Sequence, residues 1–134
     1  MAVNAVLDRP MTVAEFLEWE PGDGRRYQLV DGRPVAMARE SRAHGSLIIA
    51  LGGEIRAHLR SNPRCIVETD AGIIPPDQDR NYFVADIAVS CAPHTQGQIA
   101  TPQPIVIVEV LSPGTEAEDR RIKVPAYRTI PSVR

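Results

Sequence analysis

The chain has 134 residues, of which 43% are hydrophobic and 24% charged, and its formal net charge is −2. This length suffices for one compact domain and is too short for two ordinary ones, so we expect a single domain over residues 1–134. The charge balance does not by itself indicate a nucleic-acid partner, and no apolar run approaches the roughly 20 residues that span a bilayer, so we expect a cytoplasmic protein without a membrane segment.

The N-terminal part of the chain predicts a leader, a short helix and a hairpin. Residues 1–10 have the pattern of a loose leader. Thr12 and Glu15 have the spacing of a capping box, so a helix is expected to begin there. Asp31-Gly32 lies between two short strand-like runs, which predicts a β-hairpin with a primed turn over about residues 26–37.

The middle of the chain predicts a longer helix and then strands. A helix is expected from His44 to about Arg60, with one buried stripe formed by Ile48, Leu51, Ile55 and Leu59. Strand-like runs follow at 65–74, 82–89 and 105–111. With a last helix after the third run, the order α-β-β-α-β-β-β-α predicts a mixed α/β fold.

Both cysteines lie in apolar, strand-like surroundings. Cys65 and Cys91 are the only two in the chain. We favour buried free thiols, as expected for a protein of a reducing compartment. The sequence alone does not exclude a disulfide between the two cysteines.

The segment from Ile105 to Lys123 contains two residues with potential catalytic roles, Glu109 and Lys123. Its first seven residues form an apolar run, which predicts a strand buried on both faces and interrupted only by the acid Glu109. Thr115 and Glu118 have the spacing of a capping box and predict the start of a helix. Lys123, on that helix, is the only lysine in the chain.

A second isolated acid, Asp86, interrupts the preceding strand-like run. Consecutive strands commonly pair, and paired strands lie about 4.8 Å apart, so the carboxylates of Asp86 and Glu109 can share one cation. Two carboxylates with water and phosphate oxygens are the usual Mg²⁺ ligands, and a nearby lysine can orient water or stabilise charge on phosphorus. The alternative is two structural acids, hydrogen-bonded or paired with arginines.

Several segments together resemble the Uma-two family of endonucleases, which belongs to the restriction-endonuclease-like PD-(D/E)xK superfamily. The resemblance runs from about residue 12 to the end and rests on Tyr27-Gln-Leu-Val-Asp-Gly32, His44 opening a helix, Ala85-Asp86-Ile87, Val108-Glu-Val-Leu-Ser-Pro113, Asp119-x-x-x-Lys123-x-x-x-Tyr127 and Ile130-Pro-Ser-Val133.

The resemblance implies a restriction-endonuclease-like core, with a mixed β-sheet flanked by helices, and a nuclease that acts on DNA. Asp86 and Glu109 would be its metal ligands, for Mg²⁺ or alternatively Mn²⁺. Lys123 would be the motif lysine, supplied by the following helix because Leu111 occupies its usual place in the strand.

The chain departs from the family pattern in four ways, of which the replacement of a proline by Ala85 before Asp86 is chemically minor. Gln28 stands in the hairpin where the family commonly has glutamate, so a third acid is missing. Pro125 falls inside the last helix and is expected to kink it just beyond Lys123. The chain ends at Arg134, before the strand that typically follows, which leaves a sheet edge for a homo-oligomer to cover or indicates a truncated C-terminus.

Three further residues have a functional and a structural interpretation. His44, at a helix start, could contact phosphate or position water, or could be an ordinary polar residue. Glu40 could replace the missing hairpin acid, but a solvated loop position is the favoured interpretation. Tyr127 is expected to be a core residue rather than a catalytic one.

The sequence therefore predicts a Mg²⁺-dependent endonuclease that hydrolyses DNA phosphodiester bonds. Asp86 and Glu109 would bind the metal, Lys123 would assist the attacking water, and His44 would be auxiliary. The competing hypothesis is a catalytically impaired relative that binds nucleic acid or a protein partner, which Gln28, Pro125 and the early C-terminus favour.

Overall fold

The computed structural model describes residues 8–76 and 78–134, so most of the predicted leader lies outside the described residues. The elements follow the predicted order: α1 (Val13–Glu18), β1 (Tyr27–Val30), β2 (Arg33–Ala36), α2 (Arg42–His58), β3 (Ile66–Ile73), β4 (Phe83–Ser90), β5 (Pro104–Val108), α3 (Glu116–Glu118), a π-helical turn (Asp119–Lys123) and α4 (Val124–Tyr127). No helix in the described part of the chain is long and apolar enough to cross a membrane.

The strands form two small sheets. β1 and β2 pair as an antiparallel hairpin, and β4 lies between β3 and β5 in an antiparallel three-stranded sheet. Leu29 and Tyr82 join the two sheets through a pair of reciprocal backbone hydrogen bonds of 2.9 Å. The result is the predicted mixed α/β fold, with the hairpin fixed beside the start of the central strand.

Local sequence signals determine the first helix and the hairpin as predicted. The Thr12 hydroxyl accepts a hydrogen bond from the Glu15 amide at 3.2 Å, and the Glu15 carboxylate accepts one from the Thr12 amide at 2.8 Å. In the hairpin turn, Asp31 and Gly32 have φ of 47° and 77°, the left-handed values that a primed turn requires. A Cβ on Gly32 would lie 2.5 Å from Cβ of Pro10, so space also selects glycine here.

The core lies on the two faces of β4. One cluster joins this strand to the C-terminal segment through Phe83, Ala85, Ala88, Tyr127 and Ile130, and includes Ala71 and Ile73 of β3. A second cluster packs α1 against the hairpin and Tyr82. Because β4 has a neighbour on both edges and apolar groups on both faces, the polar side chain of Asp86 on this strand has little access to water.

The predicted stripe of α2 is buried less completely than expected. Ile48 is buried, whereas Leu51, Ile55 and Leu59 are only half-buried. Ile49, on another face of the helix, is 71% exposed. The helix contacts mainly β3, with few contacts to β4, so a single sheet edge covers its inner face.

The prediction that residues 105–111 form a strand buried on both faces is wrong. The strand ends at Val108, and Val106 is 41% exposed. Among the described residues β5 pairs with β4 alone and so lies at the edge of its sheet, which leaves its side chains half-buried rather than enclosed. An apolar run of this length does not by itself distinguish an edge strand from a central one.

The predicted capping box at Thr115 is also wrong. Thr115 makes no side-chain capping bond, and its hydroxyl lies 3.0 Å from the Ser112 hydroxyl instead. The helix then widens into the π-helical turn, closed by a hydrogen bond from the Val124 amide to the Asp119 carbonyl. Pro125 follows in the first turn of α4. The wider turn accommodates a proline that would otherwise clash with a preceding carbonyl.

Cys65 and Cys91 are joined by a disulfide, so the interpretation of free thiols is wrong. The pairing of β3 with β4 explains this result, because Ile66 lies opposite Ser90 and the next step of the same register places the two cysteines opposite each other. The register, which the sequence alone does not supply, decides between free thiols and a bridge.

Candidate active site

The four predicted site residues line one open cavity of about 370 Å³. Asp86 comes from β4, Glu109 from the residue after β5, Lys123 from the π-helical turn and His44 from the first turn of α2. Residues far apart in the sequence therefore meet at one place.

Strand pairing places Asp86 beside Glu109. Ile87 lies opposite Val108 in the antiparallel pair of β4 and β5, so the same register continued by one residue sets Asp86 opposite Glu109. The pairing of the two strands ends there. The next backbone amide, that of Val110, donates a hydrogen bond of 2.6 Å to Asp86 Oδ2 instead of to a backbone carbonyl of β4. The backbone that follows β5 is thus fixed by the acid itself.

Lys123 is buried against Glu109. Its Nζ donates to Glu109 Oε1 at 3.1 Å and to the Val84 carbonyl at 3.0 Å, and it lies 3.5 Å from Asp119 Oδ1. The side chains of Lys123 and Glu109 are only 6% and 8% exposed. An ammonium group has three N–H donors. In this conformation all of them have an acceptor nearby, so Lys123 neutralises the two buried acids.

Tyr127 completes the surroundings of Glu109. Its hydroxyl donates a hydrogen bond of 2.6 Å to the same Oε1 atom, and its ring packs edge-on against Phe83. Burial raises the pKa of Glu109 to about 7, although Lys123 and Tyr127 act in the opposite direction. Burial and the nearby Glu109 charge raise the pKa of Tyr127. Tyr127 is therefore a core residue, as expected, that also contacts a site acid.

His44 lies between Asp86 and Glu40. Its Nε2 is 3.1 Å from the Val110 carbonyl and 3.5 Å from Asp86 Oδ2, and its Nδ1 is 3.3 Å from Glu40 Oε2. Burial lowers the pKa of His44, but the Asp86 carboxylate, the Val110 carbonyl and the Glu40 carboxylate outweigh it, so the pKa is raised overall. Ser41 caps α2 by accepting from the His44 amide at 3.1 Å, which fixes the backbone that carries the imidazole.

Gln28 has a structural role that the sequence did not reveal. It is buried, and its Oε1 accepts a hydrogen bond from the Val84 amide at 2.9 Å. Its Nε2 donates to Glu118 Oε1 at 3.3 Å. A glutamate could make the first bond but has no N–H for the second. Gln28 thus links the hairpin, β4 and α3 at the cavity wall.

The donor atoms at the cavity fit a divalent metal ion. The carboxylates of Asp86 and Glu109 could supply oxygen ligands to such an ion, and the imidazole of His44 could supply a nitrogen ligand. Among the described residues, the three whose donor atoms all lie within 4.8 Å of one another are Glu40, His44 and Asp86. Glu40 is an exposed residue of the loop before α2, as expected, and its carboxylate also lies near His44.

The cavity wall next to His44 also contains an arginine and the N-terminus of a helix. Arg39 and Ser41 line the cavity, and Ser41 precedes the first turn of the 17-residue α2. The N-terminus of a helix presents unpaired amide hydrogens and the positive end of the helix dipole, which attract phosphate. An anionic substrate can therefore approach the acids from this wall.

A family model described as "Uma2: Putative restriction endonuclease" matches residues 13–134. An uncharacterized protein from Synechocystis sp., slr1290, is 33% identical to the chain over 115 residues. That match covers 84% of the chain and 60% of the relative, so the chain spans less than two thirds of this relative's length. The mixed α/β fold, with its two small sheets and its helices, is compatible with a restriction-endonuclease-like fold.

Proposed function

The chain belongs to the Uma2 family, and on that premise we propose that it is a metal-dependent endonuclease that hydrolyses phosphodiester bonds in DNA. One observation carries the proposal. Asp86, Glu109, Lys123 and His44, which come from separate elements, line a single open cavity with carboxylate, ammonium and imidazole groups. Phosphodiester hydrolysis needs such a combination of acids, bases and cation ligands.

In the proposed site, Asp86 and Glu109 hold a divalent metal ion such as Mg²⁺ or Mn²⁺. A bound divalent ion supplies Lewis acidity to the phosphoryl group and lowers the pKa of a coordinated water. Asp86 is well placed because its Oδ2 is fixed by the Val110 amide at 2.6 Å. Glu109 receives both of its hydrogen bonds on Oε1, so Oε2 is the oxygen that it offers to a cation.

Lys123 would stabilise negative charge that develops on the phosphoryl group. Its ammonium is held at the cavity by Glu109 and the Val84 carbonyl, which prevents it from turning toward bulk water. A cation positioned in advance costs little reorganisation when charge develops. Glu109 and Asp119 also attract the Lys123 ammonium. A metal ion bound to Glu109 would weaken the attraction between Glu109 and Lys123.

His44 would be an auxiliary group of the site, on the α2 wall beside Asp86. Arg39 and the N-terminus of α2 lie on that wall and would neutralise part of the charge of a DNA strand. These contacts are independent of base identity, so we expect no preference for a particular DNA sequence from them.

A supercoiled plasmid incubated with the purified protein tests the proposal. With Mg²⁺ or Mn²⁺ we expect conversion to the nicked form, and with excess chelator no conversion. Asp86→Asn and Lys123→Ala should each abolish nicking, with circular dichroism confirming that they fold. His58→Ala is the matched control, because His58 is exposed on the same helix as His44 and, within residues 8–76 and 78–134, its side chain bonds only the Glu54 carbonyl.

The second candidate function is a module that binds nucleic acid without cutting it. The burial of Lys123 among three acceptors and the presence of Gln28 at the hairpin favour this alternative. A wild-type protein that retards DNA in a gel but never nicks it would support the binding module. Neither retardation nor nicking would reject both functions.

A further inference from the structure

Glu40, His44 and Asp86 form a compact group of potential ligands on the α2 side of the cavity. One donor atom from each residue lies within 4.8 Å of the other two. The imidazole is 11% exposed, the Asp86 side chain 13% and the Glu40 side chain 34%. The group is therefore partly shielded from water, yet it opens to the cavity that all three residues line.

The two nitrogens of His44 have different environments. Nε2 lies 3.1 Å from the Val110 carbonyl, which can only accept, so Nε2 is the protonated nitrogen of the neutral ring. Nδ1 is buried without a hydrogen-bond partner, although Glu40 Oε2 lies 3.3 Å away. In the neutral ring a lone pair of Nδ1 thus faces a carboxylate oxygen. A cation between the two atoms would turn this repulsion into attraction.

The charge balance of the group also lacks a fixed cation. Within the described part of the chain, the only basic group within 4.0 Å of the Asp86 or Glu40 carboxylates is His44 itself. Glu109, by contrast, has the Lys123 ammonium at 3.1 Å. Two acids that share only an imidazole leave a net negative site that a divalent ion would neutralise.

We propose that Glu40, His44 and Asp86 together hold a divalent first-row transition ion, of which Mn²⁺ is representative, in preference to Mg²⁺. Mg²⁺ selects oxygen ligands and dehydrates reluctantly, whereas an imidazole nitrogen favours transition ions. This inference rests on the proposed function for its role, since it names the metal class of the nuclease site. It assigns to Glu40 the place of the acid that Gln28 does not provide.

Direct Mn²⁺ binding tests the inference without reference to cleavage. Electron paramagnetic resonance of free Mn²⁺ gives the bound fraction for the full chain, and added Mg²⁺ measures competition. We expect wild type to retain Mn²⁺ against an equal concentration of Mg²⁺. His44→Ala and Glu40→Gln should each weaken Mn²⁺ binding about tenfold or more, as ligand and near-ligand changes do at metal sites.

Two further variants make the result decisive. His44→Asn keeps a side-chain amide that can donate to the Val110 carbonyl, so it separates loss of the metal ligand from loss of local structure. His58→Ala on the same helix should bind Mn²⁺ as wild type does. Mn²⁺ binding that is unchanged in both His44 variants, equal affinity for Mg²⁺ and Mn²⁺, or no Mn²⁺ binding at all would each overturn the inference.

Plasmid nicking in the same samples separates this inference from the proposed function. Mn²⁺ binding that depends on His44, with no cleavage under any metal condition, would retain the metal site and reject the nuclease. Metal-dependent cleavage in a protein whose Mn²⁺ binding ignores His44 would retain the nuclease and reject the Glu40–His44–Asp86 site.

Discussion

Asp86 and Glu109 have the same sequence pattern and different surroundings. Each is a lone acid in an apolar run, and the two lie opposite each other at the ends of paired strands. Glu109 receives hydrogen bonds from Lys123 and Tyr127 inside the protein. Asp86 receives one from the Val110 amide, and its only basic neighbour is His44 in the described part of the chain.

Glu109 and Asp86 therefore show two different ways in which a protein stabilises a buried carboxylate. Glu109 is paired with the buried Lys123 ammonium, so this ion pair belongs to the folded structure and breaking it leaves a buried charge. Asp86 is oriented by the backbone but not neutralised by a lysine or arginine. Glu109 should therefore matter most for stability in the absence of metal, and Asp86 most for binding a cation.

Removal of the Lys123 ammonium should have the largest effect on stability. Lys123→Met keeps the volume of the side chain but leaves Glu109 and Asp119 without their cation, so we expect a loss of about 3 kcal/mol in the free energy of unfolding. Urea denaturation at pH 8 measures it. Arg120→Met is the control, because the Arg120–Glu116 pair is exposed and should cost less than about 1 kcal/mol. Equal losses in the two variants would contradict the account.

Removal of the Tyr127 hydroxyl should have the next largest effect. Tyr127→Phe retains the ring against Phe83 and deletes only the 2.6 Å hydrogen bond to Glu109. A hydrogen bond to a charged group contributes about 1.5 to 3 kcal/mol, so we expect a loss near the lower value. The same denaturation experiment applies, and a variant as stable as wild type would show that this bond adds nothing.

Stability should fall with rising pH because of Glu109. Burial raises the pKa of Glu109 from 4.5 to about 7, so between these pH values the folded protein binds a proton that the unfolded chain has released. The contribution of this group is therefore full below pH 4.5 and is lost as the pH rises through about 7. Glu109→Gln should remove this part of the slope of unfolding free energy against pH, measured without added metal. If the unfolding free energy of Glu109→Gln had the same pH slope as that of the wild type, the raised pKa would not belong to Glu109.

Neutralisation of Asp86 should have the smallest effect in the absence of metal. Asp86→Asn keeps a carbonyl oxygen that can accept from the Val110 amide, so we expect a change of less than about 1 kcal/mol. With Mn²⁺ present the wild type should gain thermal stability and the variant should not, because a ligand stabilises only the state that binds it. A destabilisation as large as that of Lys123→Met would remove the contrast between the two acids.

The sequence predicted those features that local chemistry determines. The Thr12 capping box and the Asp31-Gly32 turn form as expected, because the groups that satisfy them lie within a few residues. Pairing of the two acid-bearing strands was also predictable from their order in the chain. The meeting of Asp86, Glu109, Lys123 and His44 at one cavity came from the family resemblance rather than from spacing alone.

Features that depend on tertiary neighbours were not predictable. Thr115 has the capping-box spacing but bonds Ser112, because the following helix is short and passes into a π-helical turn. The apolar run after Ile105 forms an edge strand, since no second strand covers it in the described part of the chain. The disulfide between Cys65 and Cys91 needed the β3–β4 register, and Glu40 needed the position of α2.

The dependence of plasmid nicking on Mn²⁺ concentration tests the central claim most directly. Initial nicking rates are compared for wild type and Asp86→Asn over the same Mn²⁺ series, with excess chelator as the zero point. The account predicts that the wild-type rate rises and saturates, while Asp86→Asn stays at the chelator background throughout. A wild-type rate that ignores the chelator, or an Asp86→Asn rate that follows the wild-type curve, would contradict it.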